Sequence, residues 1–182
     1  MYIVLAVAVV AVMWAVMTYN SLIKFRVRAK EGLSDIEVQL KRRHDLIPNL
    51  VETVKGYMQH EKDVFEKVTQ ARAAAMGASN AKDRVVAENA LSNTLKTLFA
   101  VSENYPELKA NANFLDLQRE IADTENKIQA ARRFYNGLVR DLNTAIETFP
   151  SKLIADWFHF GPEEFFDLDE TPEERENVQV KF

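Results

Sequence analysis

The feature that most constrains this chain is its uncharged start. None of the first 23 residues carries a charge, and the first 17 are drawn only from Ala, Val, Ile, Leu, Met, Trp and Tyr. As a helix, 23 residues extend roughly 34 Å at about 1.5 Å per residue, which crosses a hydrocarbon core of about 30 Å. The sequence therefore predicts a transmembrane anchor over residues 1–23. A cleaved signal peptide is the alternative, but it requires a basic first segment and a small-x-small cleavage site, and residues 17–21 offer no such site.

Four basic residues follow the uncharged run directly: Lys24, Arg26, Arg28 and Lys30. Lys and Arg accumulate on the cytoplasmic side of membrane spans. The sequence therefore predicts a single-pass protein with its N-terminus outside and the rest of the chain in the cytoplasm. These four residues are also candidates for contact with anionic lipid headgroups, at about 1 kcal/mol each near the surface. A topology signal alone is the other interpretation, and both can hold.

Two later segments repeat apolar residues with steps of three and four, the a/d pattern of helices packed side by side. This period predicts a left-handed twist between neighbouring helices. The first seam consists of Leu33, Ile36, Leu40, Arg43, Ile47, Leu50, Val54, Tyr57, Glu61, Val64, Val68 and Ala71. The second consists of Phe114, Leu117, Ile121, Thr124, Ile128, Ala131, Tyr135, Leu138, Leu142, Ala145 and Phe149. We predict one long helix for each seam.

A shorter helix is predicted between the two long ones, over residues 81–105. The small residues 77–79, which follow Met76, indicate a turn before it, and Asn80 is suited to cap its start. Pro106 should end it, because the residue before a proline is biased away from helical angles. Pro48 lies inside the first seam, which keeps its phase across the proline, so a kink is expected there and not a break.

The predicted fold is all-α: an N-terminal transmembrane helix, then an antiparallel up-down-up bundle of long helices, with a C-terminal acidic tail. The expected domains are the anchor (1–23), the helical bundle (24–160) and the tail (161–182). An aromatic-rich segment, residues 149–166, is expected at the membrane-distal end of the third helix. The final residues 178–182 alternate apolar and polar side chains and could either dock as a strand or stay loose.

Two seam positions are charged, Arg43 and Glu61. A charge that faces a helical core is costly unless it is paired and hydrogen-bonded. The two cannot pair within one helix, because the 18 residues between them span about 27 Å. Each therefore needs a partner on another helix or chain, which would lock the register of the bundle or of an oligomer. The alternative is that the seam drifts and both long side chains reach water.

Nothing in the sequence indicates catalysis or a cofactor. The chain has no Cys and only three His, without the spacing of a metal site. Residues 41–44 form a short basic cluster, but Asp45 follows it and the net charge is -4, so nucleic-acid binding is not expected. We predict no enzymatic activity, no cofactor and no metal.

The chain resembles the LemA family of bacterial membrane proteins. The resemblance rests chiefly on residues 35–57, DIEVQLKRRHDLIPNLVETVKGY, and extends from the anchor to about residue 160. Further matching segments are Tyr19–Asn20, His60–Glu61, Ala71–Arg72, 103–114, 124–128, 132–136 and Phe149–Pro150. The resemblance implies a single N-terminal span, a bundle of long antiparallel helices and a cytoplasmic C-terminus, with no established enzymatic activity. The resemblance also links the chain to a protein of magnetosome-forming bacteria that looks like a factor in building intracellular membrane vesicles. Other relatives occur with envelope-stress and membrane-protease genes.

The leading functional hypothesis is a non-enzymatic scaffold at the bacterial cytoplasmic membrane. It would self-associate as a homo-oligomer or hold partners beside the lipid bilayer, in membrane organisation or envelope stress. The alternative is an accessory regulator that binds one membrane-protein client, such as a protease or a sensor kinase. A third hypothesis, a ligand pocket between helices, lacks a polar constellation to support it.

Overall fold

The computed structural model describes residues 1–166, and all its regular elements are helices. They are α1 (Tyr2–Lys55), α2 (Lys62–Gly77), α3 (Ala81–Ser102), α4 (Pro106–Lys109), α5 (Ala112–Glu147) and α6 (Ser151–Trp157). The all-α class, the long apolar N-terminal helix and the antiparallel packing of long helices are confirmed. The acidic tail beyond residue 166, with its alternating end, lies outside the described residues.

Helix α1 joins the predicted span to the first seam without interruption. Its 54 residues correspond to about 81 Å of helix. Residues 1–14 are exposed throughout, and α1 is the one helix among residues 1–166 that is long and apolar enough to cross a membrane. This helix is consistent with a single-pass anchor. The helix also continues through Pro48, as the phase of the seam predicted.

The first long helix is shorter than the seam predicted. It ends at Lys55 instead of Ala71, and residues 56–61 form a turn before α2. The backbone N–H groups of Tyr57 and Met58 both bond to the carbonyl of Val54, which closes the helix. Gly56 lies at this point, and glycine disfavours a helix interior. The seam therefore fails here: Met58 is fully buried, whereas Tyr57 is exposed.

The other helices begin and end close to the predicted positions. Asn80 caps α3, since its Oδ1 accepts a hydrogen bond from the Asp83 backbone N–H at 2.8 Å. Helix α3 ends at Ser102, and Pro106 occupies the first turn of the short α4. Helix α5 lies within two residues of the expected 114–149 at each end. Phe149 is an exception in the second seam, because it lies beyond the helix and is 81% exposed.

The chain divides into two compact units, to both of which α1 and α5 contribute. Among the described residues, the anchor unit contains Met1–Glu37 and Gln129–Phe165, and the bundle unit contains Val38–Ile128 and Phe166. The bundle unit has an apolar core drawn from α1 to α5, including Ile47, Leu98 and Phe114. The anchor unit has a separate core formed by Leu22, Leu142, Ile146, Ala155 and Phe160.

In the anchor unit, α5 runs antiparallel to α1, which corrects the direction expected for the third long helix. Gly32 lies against Leu138, where an added Cβ would meet the Leu138 Cδ1 at 3.1 Å. Further along, Leu22 packs with Leu142 and Ile146. The turn at 56–61 adds a reversal of the chain that the heptad pattern does not reveal. The end of α5 consequently returns toward the uncharged run.

The aromatic segment after α5 therefore lies beside the end of the uncharged run, not at the membrane-distal end. The ring of Phe158 is 4.7 Å from that of Tyr19, centroid to centroid, and the ring of Phe160 is 5.8 Å from it. The chain then follows α5: Asn143 pairs with the backbone N–H and carbonyl of Glu163, both at 2.9 Å.

Candidate functional site

The most unusual site in the bundle unit is the buried guanidinium of Arg43. Its side chain is 1% exposed, so it does not reach water. It forms ion pairs with Glu88 on α3 and Glu125 on α5. Its Nη1 also donates to the Ser92 hydroxyl at 2.7 Å, and its Nη2 to the Glu88 carbonyl at 3.3 Å. The partners of Arg43 thus come from two other helices of the same chain.

Glu88 is the most buried acid of this cluster. Burial alone would raise the pKa of its carboxyl, but contact with His44 and the positive charge of Arg43 outweigh burial and hold that pKa below its ordinary value. His44 Nε2 lies 3.0 Å from Glu88 Oε1. Glu88 therefore remains a carboxylate at neutral pH, and it bridges two consecutive residues of α1. Arg43, which pairs with two carboxylates, is the central member of the cluster.

A second contact compensates for Pro48. Proline has no backbone N–H, so the carbonyl four residues earlier, that of His44, loses its helical donor. Arg72 on α2 supplies a substitute, because its Nε donates to the His44 carbonyl at 2.8 Å. Consecutive residues of α1 therefore receive polar contacts from α2, α3 and α5. The segment around Arg43 and Pro48 is where α1 is attached to the other helices of the bundle unit.

Glu61, the second charged seam position, lies outside any helical seam. It precedes α2 at the turn, and its side chain does not cap that helix. Its Oε1 accepts a hydrogen bond from the Tyr105 hydroxyl at 3.2 Å. The structure does not bring Glu61 together with Arg43. Its contribution is to hold the 56–61 turn against the segment that joins α3 to α4.

The basic residues after the uncharged run lie in the anchor unit. Lys24, Arg28 and Lys30 are exposed, and Arg26 is half-buried. The Arg26 guanidinium lies over the Phe160 ring, 4.2 Å from its centroid. One of the four predicted membrane-surface residues thus has a partner within the chain.

The arrangement around Arg43 is suited to fixing helices, not to chemistry at an open surface. The basic cluster at residues 41–44 is divided by the helix: Arg42 points outward to Glu120, 3.9 Å away, while Arg43 points inward. Among residues 1–166, no group of three or more His, Cys, Asp or Glu side chains could hold a metal ion.

The sequence pointed to Arg43 but not to its partners. Glu88 and Ser92 lie one helical turn apart on α3, so they share a face, yet they resemble the many other polar residues of this charge-rich chain. Glu125 directly follows the seam residue Thr124, and this position beside the packed side of α5 was the one sequence cue to its role. Arg72 could have been found from Pro48, because a proline within a helix requires a donor for the carbonyl four residues earlier.

The model of the LemA family matches residues 32–182. Among curated relatives, Protein LemA of Metamycoplasma hominis is 27% identical over 137 residues, which cover 75% of this chain and 63% of the relative. Magnetosome protein MamQ of Magnetospirillum gryphiswaldense is 22% identical over 176 residues, which cover 82% of this chain and 65% of the relative. The chain therefore spans just under two thirds of the length of these relatives.

We predict that Arg43→Met lowers the free energy of unfolding by about 3–5 kcal/mol, because two carboxylates lose their buried partner. The measurement is unfolding of the full chain in nanodiscs, monitored by circular dichroism. Arg42→Met is the matched control, since its exposed ion pair with Glu120 should contribute at most about 1 kcal/mol. If Arg43→Glu kept both helicity and assembly unchanged, Arg43 would not lock the register.

We also predict that Arg72 and Pro48 are coupled. Arg72→Met should cost about 1–3 kcal/mol, the cost of leaving the His44 carbonyl without a donor. In a Pro48→Ala background, the new N–H at position 48 can bond that carbonyl, so the same substitution should cost clearly less. A double-mutant cycle on unfolding free energies measures the difference. Equal costs in the two backgrounds would contradict the compensation.

Proposed function

The chain belongs to the LemA family, and we propose that it is a non-enzymatic scaffold held in the bacterial cytoplasmic membrane by α1. The observation that carries the proposal is the continuity of α1. One helix begins as an exposed, uncharged run and ends in the core of the bundle unit. A bundle attached in this way acts by being held in place, without a reaction of its own.

We infer that the scaffold associates with copies of itself or with partners through outward faces. The seam residues of α1 that lie in the bundle unit, such as Ile47, Leu50 and Val54, are already buried within the chain. Exposed apolar residues of that unit, Val38, Met76 and Val86, come from three different helices. Apolar residues scattered singly over a surface are normal and do not mark a large interface, so association through these faces would be weak. Tethering to one membrane raises the effective concentration of weakly associating domains, so the anchor would be needed for assembly.

The family and the charges support the proposed setting. Similarity to magnetosome proteins of two species supports a role in membrane organisation. The basic residues Lys24, Arg28 and Lys30, exposed after the uncharged run, support a cytoplasmic bundle. The alternative, an accessory regulator with one membrane-protein client, would use the same anchor. The composition of the complex therefore distinguishes the scaffold from the regulator.

We predict that the chain, extracted from its native membrane in polymer nanodiscs without dilution into detergent, is found in complexes. Masses at multiples of the 20.8 kDa chain would support self-association. One foreign membrane protein at fixed stoichiometry would support the regulator. The measurement is native mass spectrometry, with cross-linking in intact membranes as a check. A lone chain by both methods would contradict the scaffold.

Orientation gives a separate prediction, and the absence of Cys from the sequence makes it direct to test. In intact protoplasts, a membrane-impermeant maleimide should label Tyr2→Cys. It should label Met76→Cys, which lies on the exposed surface of α2, only after lysis. The physical reason is that Lys and Arg remain on the cytoplasmic side of a span. Labelling of Met76→Cys before lysis would contradict the proposed topology.

A further inference from the structure

We propose that the α6 region is a second membrane-contacting element, whose exposed aromatic face lies in the headgroup boundary of the bilayer that α1 crosses. The proposal rests on the proposed anchor and adds a surface that the anchor does not require. The face is formed by Phe149, Leu153, Trp157 and Phe158, which are 81%, 57%, 77% and 51% exposed.

Only one side of the short helix α6 carries the exposed apolar residues. Leu153 and Trp157 are four residues apart in α6, so they lie on one side of that helix. Phe149 precedes α6, in the turn that joins it to α5. The other side of α6 carries Ile154 and Ala155, which pack into the core of the anchor unit. The helix is therefore fixed by its inner side, and its large apolar side chains point away from the protein.

A capping motif holds this orientation. His159 has a φ of 58°, in the left-handed region, and the Phe160 backbone N–H bonds to the Ala155 carbonyl at 2.9 Å. This is the six-to-one hydrogen bond of a Schellman motif, and Phe160 and Ala155 belong to the same core, as that motif favours. The cap turns Phe160 inward, where it is buried, and leaves Trp157 and Phe158 exposed.

The depth of the face identifies lipid as its occupant. Phe158 contacts Tyr19, which lies within the uncharged run, five residues before Lys24. That interval is about 7.5 Å of helix, so Tyr19 lies close to the boundary between acyl chains and headgroups. The side chains of Tyr and Trp favour this boundary because one end is apolar and the other is polar.

Charge and continuity point to the same partner. The exposed face of α6 meets the end of the exposed apolar surface of α1, since residues 1–14, Val16 and Met17 are exposed and the ring of Phe158 contacts that of Tyr19. Lys24 on α1 is exposed, and a cation of this kind favours anionic headgroups. Lys152 on α6 is also exposed and pairs with Asp156 at 3.4 Å, so the basic charge beside the face comes from α1. An aromatic face next to basic residues is typical of interfacial helices.

The experiment uses the two tryptophans of the full chain in vesicles of phosphatidylcholine and phosphatidylglycerol. Trp14→Phe leaves Trp157 as the only tryptophan, and Trp157→Phe leaves Trp14. Bromine atoms on the acyl chains, placed either near the headgroup or deeper, quench tryptophan by contact, and aqueous iodide reports exposure to water. We expect the emission of Trp157 to be blue-shifted, quenched by shallow bromine and protected from iodide.

A matched control is Phe134→Trp in a chain with both native tryptophans replaced by Phe. Phe134 is 59% exposed on α5 and lies 12 residues from Ile146, about 18 Å along the helix. Its emission should remain accessible to iodide and insensitive to bromine. This control shows that exposure alone does not lead to quenching by lipid.

The outcomes separate this proposal from the proposed anchor. If Trp14 is quenched by deep bromine while Trp157 is quenched by iodide, α1 spans the membrane and the α6 proposal is overturned. If Trp157 is protected from both iodide and bromine, protein covers the face, and the α6 proposal is again overturned. If Trp14 is not quenched by either bromine position, the anchor and the proposal that rests on it both fail.

Discussion

The bundle unit depends on one buried charge, the guanidinium of Arg43. Taking a guanidinium out of water is costly, and the cost is offset only where its hydrogen-bonding groups meet partners in good geometry. Glu88 and Ser92 from α3 and Glu125 from α5 meet this requirement together. A shift of either helix by one turn would remove a carboxylate while leaving apolar residues with other apolar neighbours. We therefore propose that Arg43 supplies specificity of register, which an all-apolar seam would lack.

The neighbouring Pro48 also creates a polar requirement in α1 that another helix satisfies. Pro48 removes one backbone hydrogen bond from α1, and Arg72 of α2 replaces it by donating to the His44 carbonyl. In isolation, a helix with a buried arginine and a proline five residues apart would be poorly specified. In the bundle, groups from other helices satisfy both residues. The polar contacts of residues 43–48 therefore connect α1 to α2, α3 and α5.

Heptad patterns predicted which residues are buried far better than they predicted where the chain reverses. Ile36, Leu40, Ile47 and Leu50 are all buried as expected, because the a/d period records the side of the helix that packs. The pattern kept its phase across residues 56–61, so the turn at Gly56 was not visible in it. One missed reversal changed the expected direction of α5. The partners of Arg43 were also out of reach, since pairing between distant segments depends on tertiary packing, which local periodicity does not encode.

The direction of α5 has consequences for how the anchor unit could meet a membrane. A single transmembrane helix fixes the distance of a domain from the bilayer but leaves it free to rotate about the helix axis. Because α5 returns beside Leu22, α6 and its aromatic face are carried back to the level of Tyr19. A contact at this level, displaced sideways from α1, restrains rotation and tilt, which one helix alone cannot do. Restricted orientation lowers the entropy that remains to be lost when tethered neighbours associate, so faces too weak to associate in solution would become effective on the membrane.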